Sequence, residues 1–256
     1  MKTPINKKNR KGGFTLIELM VVIAILAALA SIGYGPIVNH MNAGDRQKAI
    51  ANLKSLSLNL QKFKQDRSSY PCDSTAEDLQ ENNPDLDFGE LKGDHSNPYL
   101  RQLFYMNDVT SEKPFFAKLN VEGLNIAKEG DDRIANGQAL RPGENAMSYV
   151  MRRSSDDETV KVGIPDKSEN VPLLICSVYP SKTPYTGDKL IFDVASFRGH
   201  MFVLCADGSV NDHEDDIQET DESPDKGVLK QGKTIFPENK RGRATAHGYL
   251  VLTPET

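Results

Sequence analysis

The sequence predicts an α+β chain: one long N-terminal helix packed on a C-terminal antiparallel β-sheet. Three observations predict it. Apolar residues fill Phe14 to Ile32 with a single charge, Glu18. An amphipathic pattern follows, with Ala49, Leu53, Leu56, Leu60 and Phe63 spaced 4, 3, 4 and 3, the spacing of one helical face. Beyond residue 113 the period changes to short β-branched and aromatic runs separated by turn residues. No helical pattern longer than about two turns lies between those runs, which favours antiparallel pairing.

The first element carries most of the functional information. The run Phe14–Ile32 is 19 residues long; at ~1.5 Å per residue it reaches about 28 Å, close to a bilayer core. Residues 1–13 hold Lys2, Lys7, Lys8, Arg10 and Lys11 and no acid. Such a cluster keeps the N-terminus cytoplasmic and exports the chain beyond the span. Three readings fit so far: a cleaved secretory signal, with Ala28-Leu29-Ala30 as a small-x-small site before Ser31; a plain membrane anchor; or a precursor cut ahead of the apolar run. Glu18 separates them. A carboxylate in such a run costs roughly 2–3 kcal/mol at the bilayer centre and less near the interface. A signal or a passive anchor gains nothing from it, so it marks function and needs a partner.

The stretch Lys11-Gly12-Gly13-Phe14-Thr15-Leu16-Ile17-Glu18-Leu19-Met20 resembles the processing motif of type IV prepilins and type II secretion pseudopilins. The resemblance implies cleavage between Gly13 and Phe14 by prepilin peptidase, then N-methylation of Phe14. Gly12 and Gly13 suit an extended chain entering a protease site. Cleavage leaves a cationic amine on Phe14, and Glu18 becomes the fifth residue. The two can pair within one chain or between neighbours. Desolvation offsets much of the Coulomb gain, so such a pair fixes register better than it adds stability. The resemblance further implies a homo-oligomeric filament, a type IV pilus or a pseudopilus, with an assembly ATPase and an inner-membrane platform protein as partners. The precursor would be a single-pass inner-membrane protein with its C-terminus outside the cytoplasm. The fibre would stand at the cell surface or in the periplasm.

The chain divides into a basic leader at 1–13, a transmembrane and polymerisation helix at 14–35, an amphipathic continuation at 36–69 and a globular region at 70–256. Gly33, Gly35 and Pro36 predict a kink or a locally melted stretch, and pilin-like proteins are expected to unwind there in the filament. The helix should end near Asp66–Ser69, ahead of Tyr70-Pro71. Residues 72–112 read as loops with one or two short helices, the second near 97–106. Strands are predicted at 115–121, 146–152, 159–164, 171–179, 188–195, 200–206 and 247–252. Asp207-Gly208 after an apolar strand signals a hairpin. The segment Arg198–Val210 resembles the C-terminal hairpin of a pilin-like group in planctomycete- and verrucomicrobium-type bacteria. It departs from that group at Phe197, where the group's His stands, while His200 lies closer to Asp207.

Charge and side-chain chemistry narrow the function classes. A length of 256 residues suits one anchored domain. The formal charge of −5 becomes −10 without residues 1–13, which disfavours non-specific nucleic-acid binding; Lys240, Arg241 and Arg243 read as a solvated loop. The three cysteines, Cys72, Cys176 and Cys205, allow one disulfide, with Cys176 and Cys205 as the candidate pair, or three reduced buried thiols. The acids between Asp212 and Asp225 read as a solvated loop. Major pseudopilins resembling this chain use a C-terminal calcium loop, and calcium here would take Asp212, Asp215 and Asp216, although no EF-hand spacing is present. His200 and Cys205 fall on opposite faces of a strand, so His200, Cys205 and Asp207 read as core and turn residues rather than a nucleophilic site. Walker, dinucleotide, GxSxG and HExxH motifs are all missing from the sequence. A structural subunit without cofactor is the expected class. The alternatives are a minor pilin or pseudopilin with a tip or ligand-binding role, and an exported enzyme or binding protein using residues 1–30 as its signal.

Overall fold

In the computed structural model the described residues are 14–85, 89–106, 109–119, 139–164, 171–187, 189–221, 223–237 and 248–255, without the side chains of 30–42, 106, 215 and 224. The leader, Gly13 and the Lys240–Arg243 cluster lie outside them. The chain forms two compact units, Met1–Gly44 and Asp45–Thr256.

Helix α1 is assigned over Leu16–Arg67. It is continuous through Gly33, Gly35 and Pro36, so the melted stretch expected there is not present in this structure. Its end matches expectation: Lys64 and Arg67 occupy the last turn, Ser68 turns left-handed with φ 61°, and Tyr70-Pro71 prevents continuation. Ala49, Leu53, Leu56, Leu60 and Phe63 are all buried. Removing a Leu side chain from water contributes roughly 1.5–3 kcal/mol, so this stripe anchors the second half of α1 to its own domain.

Two short helices follow. Helix α2 is Asp73–Asn82, capped by Thr75 Oγ1 accepting from the Cys72 amide at 2.8 Å. Helix α3 is Ser96–Arg101 and runs into a 3-10 turn, Gln102–Met106. The buried guanidinium of Arg101 donates to the carbonyls of Ala139 at 2.7 Å, Glu90 at 2.5 Å and Leu140 at 3.2 Å. The carboxylate of Glu112, also buried, accepts from the Leu140 amide at 2.6 Å. Asn97 adds a third tie, donating to Leu140 and Arg141 carbonyls.

The strands are β1 (Met147–Arg153), β2 (Lys161–Val162), β3 (Pro172–Cys176), β4 (Tyr185–Thr186), β5 (Phe192–Asp193), β6 (Phe202–Cys205), β7 (Val210–Asp212), β8 (Ile217–Thr220), β9 (Ser223–Leu229) and β10 (Tyr249–Leu252). Two antiparallel sheets result among the described residues. One has the order β4-β10-β1-β3-β6-β7 with β2 on β1; the other is β5-β9-β8. Strand β3, Pro-Leu-Leu-Ile-Cys, is buried at every position, as expected of a strand covered on both faces. The β6–β7 hairpin turns at Asp207-Gly208. Gly208 has φ 85°, and a Cβ there would stand 3.1–3.2 Å from Gln61 and Ser57 of α1, so the turn needs glycine for both conformation and approach.

Three expectations are corrected. Residues 115–119 form no strand: Lys113–Phe115 is a 3-10 turn. Burial does alternate from Phe115 to Lys118, which mimics a strand, but Phe115 accepts one bond, from Ala146, instead of a ladder. The strands expected at 159–164 and 188–195 shrink to two residues each. The acid-rich stretch after Val210 is not a single loop. It supplies β7, a 3-10 turn at Glu214–Asp216, and the β8–β9 hairpin.

Candidate functional site

The start of α1 is a capping box. Thr15 precedes the first helical residue, and its Oγ1 accepts from the Glu18 amide at 3.3 Å. In return the Glu18 carboxylate accepts from the Thr15 amide at 2.8 Å and from Thr15 Oγ1 at 2.7 Å. Two otherwise orphaned amides of the first turn are satisfied reciprocally. Glu18 thus has a local partner in the uncut chain. The T-x-x-E spacing that encodes it was legible in the sequence, and sequence reasoning gave Thr15 no role.

Around this box the helix is apolar and uncovered. Phe14 is 78% exposed and Leu29 is 61% exposed, and the large apolar side chains between them are exposed as well. A contiguous apolar surface of this kind calls for a covering partner. Among the described residues, no helix is long and apolar enough to cross a membrane; the described side chains of the apolar run end at Leu29.

The remaining predicted site residues are scattered. His200 Nδ1 faces Asp212 at 2.9–3.0 Å, its Nε2 lies 3.2 Å from Glu214, and the Arg46 guanidinium contacts the same Nε2. Asp216 takes Lys233 Nζ at 2.6 Å and His213 Nδ1 at 2.9 Å. The Lys233 ammonium, then His213, hold its carboxyl below the usual carboxylate range. The Asp215 side chain lies outside the described residues. Among those described, no group of three or more His, Cys, Asp or Glu side chains is arranged to hold a metal ion. Asp212 and Asp216 therefore face different partners instead of converging. Sequence reasoning missed Arg46, whose contact to His200 joins residues 154 apart.

The cysteines are free and buried. Cys176 stands opposite Phe202, and Cys205 opposite Pro172. Three residues of strand separate them, about 10 Å along the ladder, beyond a disulfide's reach; the Cys176–Cys205 pairing is corrected on that ground. Burial pushes the Cys176 thiol up to about 12. Cys205 Sγ faces Asn211 while Asp207 accepts from Ser209, so His200, Cys205 and Asp207 each serve a different contact.

Comparison with known proteins bears on the N-terminal segment. Residues 8–34 match the Prokaryotic N-terminal methylation motif, which encloses Gly13, Phe14, Thr15 and Glu18. The N-terminal segment therefore carries a prokaryotic methylation motif. Three relatives, each a "Type II secretion system core protein G", are similar to the chain. The Aeromonas hydrophila protein is 37% identical over 78 residues, covering 30% of this chain and 54% of the relative. The Dickeya chrysanthemi protein is 41% identical over 64 residues, 25% and 42%. The Pectobacterium carotovorum protein is 44% identical over 62 residues, 24% and 40%. The chain spans about half the length of these curated relatives. No solved structure matches. A methylation motif therefore precedes an α+β domain, and the Thr15–Glu18 capping box lies within that motif.

Proposed function

We propose that the chain is a structural subunit of a type II secretion pseudopilus or type IV pilus. It is made as an inner-membrane precursor, cut after Gly13 and methylated on Phe14. The observation that carries this reading is Glu18 in an exposed apolar helix, inside a methylation motif. The similarity to core protein G relatives favours the pseudopilus. The full run Phe14–Ile32 spans the bilayer before assembly, and neighbouring helices cover it afterwards. Prepilin peptidase, an assembly ATPase and a platform protein are the partners that this route requires.

After cleavage the Phe14 amine becomes a cation, four residues from Glu18. The capping box then competes with that amine, or with a neighbour's, for the same carboxylate. In low dielectric a matched pair is favoured over two lone charges, and its geometry sets the step between subunits. Glutamine at the third helical position preserves a capping box and removes the charge. Glu18→Gln and Glu18→Leu should both insert and be cleaved, and neither should give normal filament yield. Normal yield from Glu18→Gln would overturn the charge-pair reading. A second reading, a minor or tip subunit, is favoured by length: 78 residues make 54% of the Aeromonas relative, about 145 residues in all, against 256 here. Abundance in sheared fractions separates the two readings.

A further inference from the structure

Among the described residues of the unit Asp45–Thr256, two large apolar side chains are exposed: Leu58 at 69% and Val160 at 36%. Each sits in charge of one sign. Leu58 lies one helical turn from Lys54 and one from Lys62, both at the surface of the helix, so ammonium groups flank it at i−4 and i+4. Asp66 is the acid farther along that stripe. Val160 closes the loop between β1 and β2, whose exposed residues include Asp156, Asp157 and Glu158 and no base. Asp157 accepts from the Thr159 hydroxyl at 2.6 Å and amide at 2.9 Å, contacts that favour its charged form. Arg152, Arg153 and Lys161 stand on the strands of that hairpin, with Lys161 paired to Asp94 at 3.1 Å, so the acidity is confined to the tip.

We propose that the α1 face around Leu58 docks on the β1–β2 loop around Val160 of a second copy of this chain. The inference rests on the filament reading and names a contact between its globular domains. Leu58 and Val160 form the apolar centre, and Lys54 and Lys62 meet Asp156 and Glu158 at the rim. The two patches lie at different places on one molecule. Gly163, just past β2, packs against Ser69 and Tyr70, beyond the end of α1. Leu58 lies nine residues before Arg67, about 14 Å back along the helix. Complementary patches at separate places allow a heterologous contact, the kind that propagates an open filament wherever its rotation does not close.

The test uses the full chain expressed with its own assembly machinery, reading fibre yield in sheared fractions. Lys54→Glu with Lys62→Glu should lower yield about tenfold, the equivalent of about 1.4 kcal/mol at the contact. Asp156→Lys with Glu158→Lys should lower it similarly. All four changes together should restore yield to within about threefold of wild type. All four side chains lie at the surface, so melting temperatures should stay near wild type. Single-sided reversals that assemble like wild type, or a combined variant that stays defective, would overturn this contact and leave the filament reading standing. A wild-type chain that forms no fibre would overturn both.

Discussion

Replacing Arg101 with Met keeps the aliphatic stem and removes a buried guanidinium that three carbonyls accept from. The three acceptors differ in what they lose. The Leu140 carbonyl keeps a bond from Asn97 at 3.0 Å. Glu90 is exposed, so water can replace its donor. The Ala139 carbonyl belongs to a residue with no exposure and is left unsatisfied, at about 1–3 kcal/mol. The cation also stands near Glu112, whose carboxylate is fully buried; without it that charge is less compensated, a situation that costs several kcal/mol when complete. Relief of the guanidinium's own desolvation offsets part of this. The net expectation is a loss of about 3 kcal/mol, or roughly 6–12 °C in melting temperature for a domain of this size. Urea titration of the detergent-solubilised chain, followed by far-UV circular dichroism, reads it as a lower midpoint at unchanged slope. A shift below about 0.5 kcal/mol would refute the argument, since it would mean that the ties to residues 139 and 140 are not held by Arg101.

Other consequences stem from single contacts. Burial raises the Asp193 carboxyl above the ordinary 3.8, with Ser196 and Ala195 donors partly offsetting it. Folding therefore favours its protonated form, and that contribution fades as pH rises from about 3.8 through the raised value. Asp193→Asn should gain stability relative to wild type at neutral pH, and the gain should vanish below about pH 4; a constant difference would contradict the assignment. Gly208→Ala should cost about 1–2 kcal/mol from its left-handed φ alone, with more from Gln61 and Ser57 giving way; an unchanged urea midpoint would argue against the close approach. The folded chain should leave Cys72, Cys176 and Cys205 unalkylated at neutral pH and yield three labelled thiols on unfolding, read by intact mass. Rapid native labelling of Cys176 would contradict its burial.

The parts of the fold written in periodicity were legible. The 4, 3, 4, 3 spacing from Ala49 to Phe63 identified the buried face of α1, and Asp207-Gly208 identified the β6–β7 turn. Apolar strands such as Leu173–Cys176 declared themselves because both faces are buried. Strands β8 and β9 did not, because Glu219, Asp221 and Asp225 lie on a hairpin near the surface, where pairing needs no apolar alternation. Phe115–Lys118 misled for the opposite reason, alternating without a ladder. At the N-terminus the residues of the motif were all legible, while the reciprocal Thr15–Glu18 contact is hidden in sequence because the same carboxylate also reads as an intramembrane charge. Arg46 and His200 could not be joined from sequence, since only the fold brings them together.

The most direct test of the central claim is the mass of the N-terminal peptide of the protein taken from native membranes. A peptide beginning at Phe14 and heavier by one methyl group is the expected result. A chain beginning at Ser31, or one retaining Met1 in a host that has the peptidase, would contradict it.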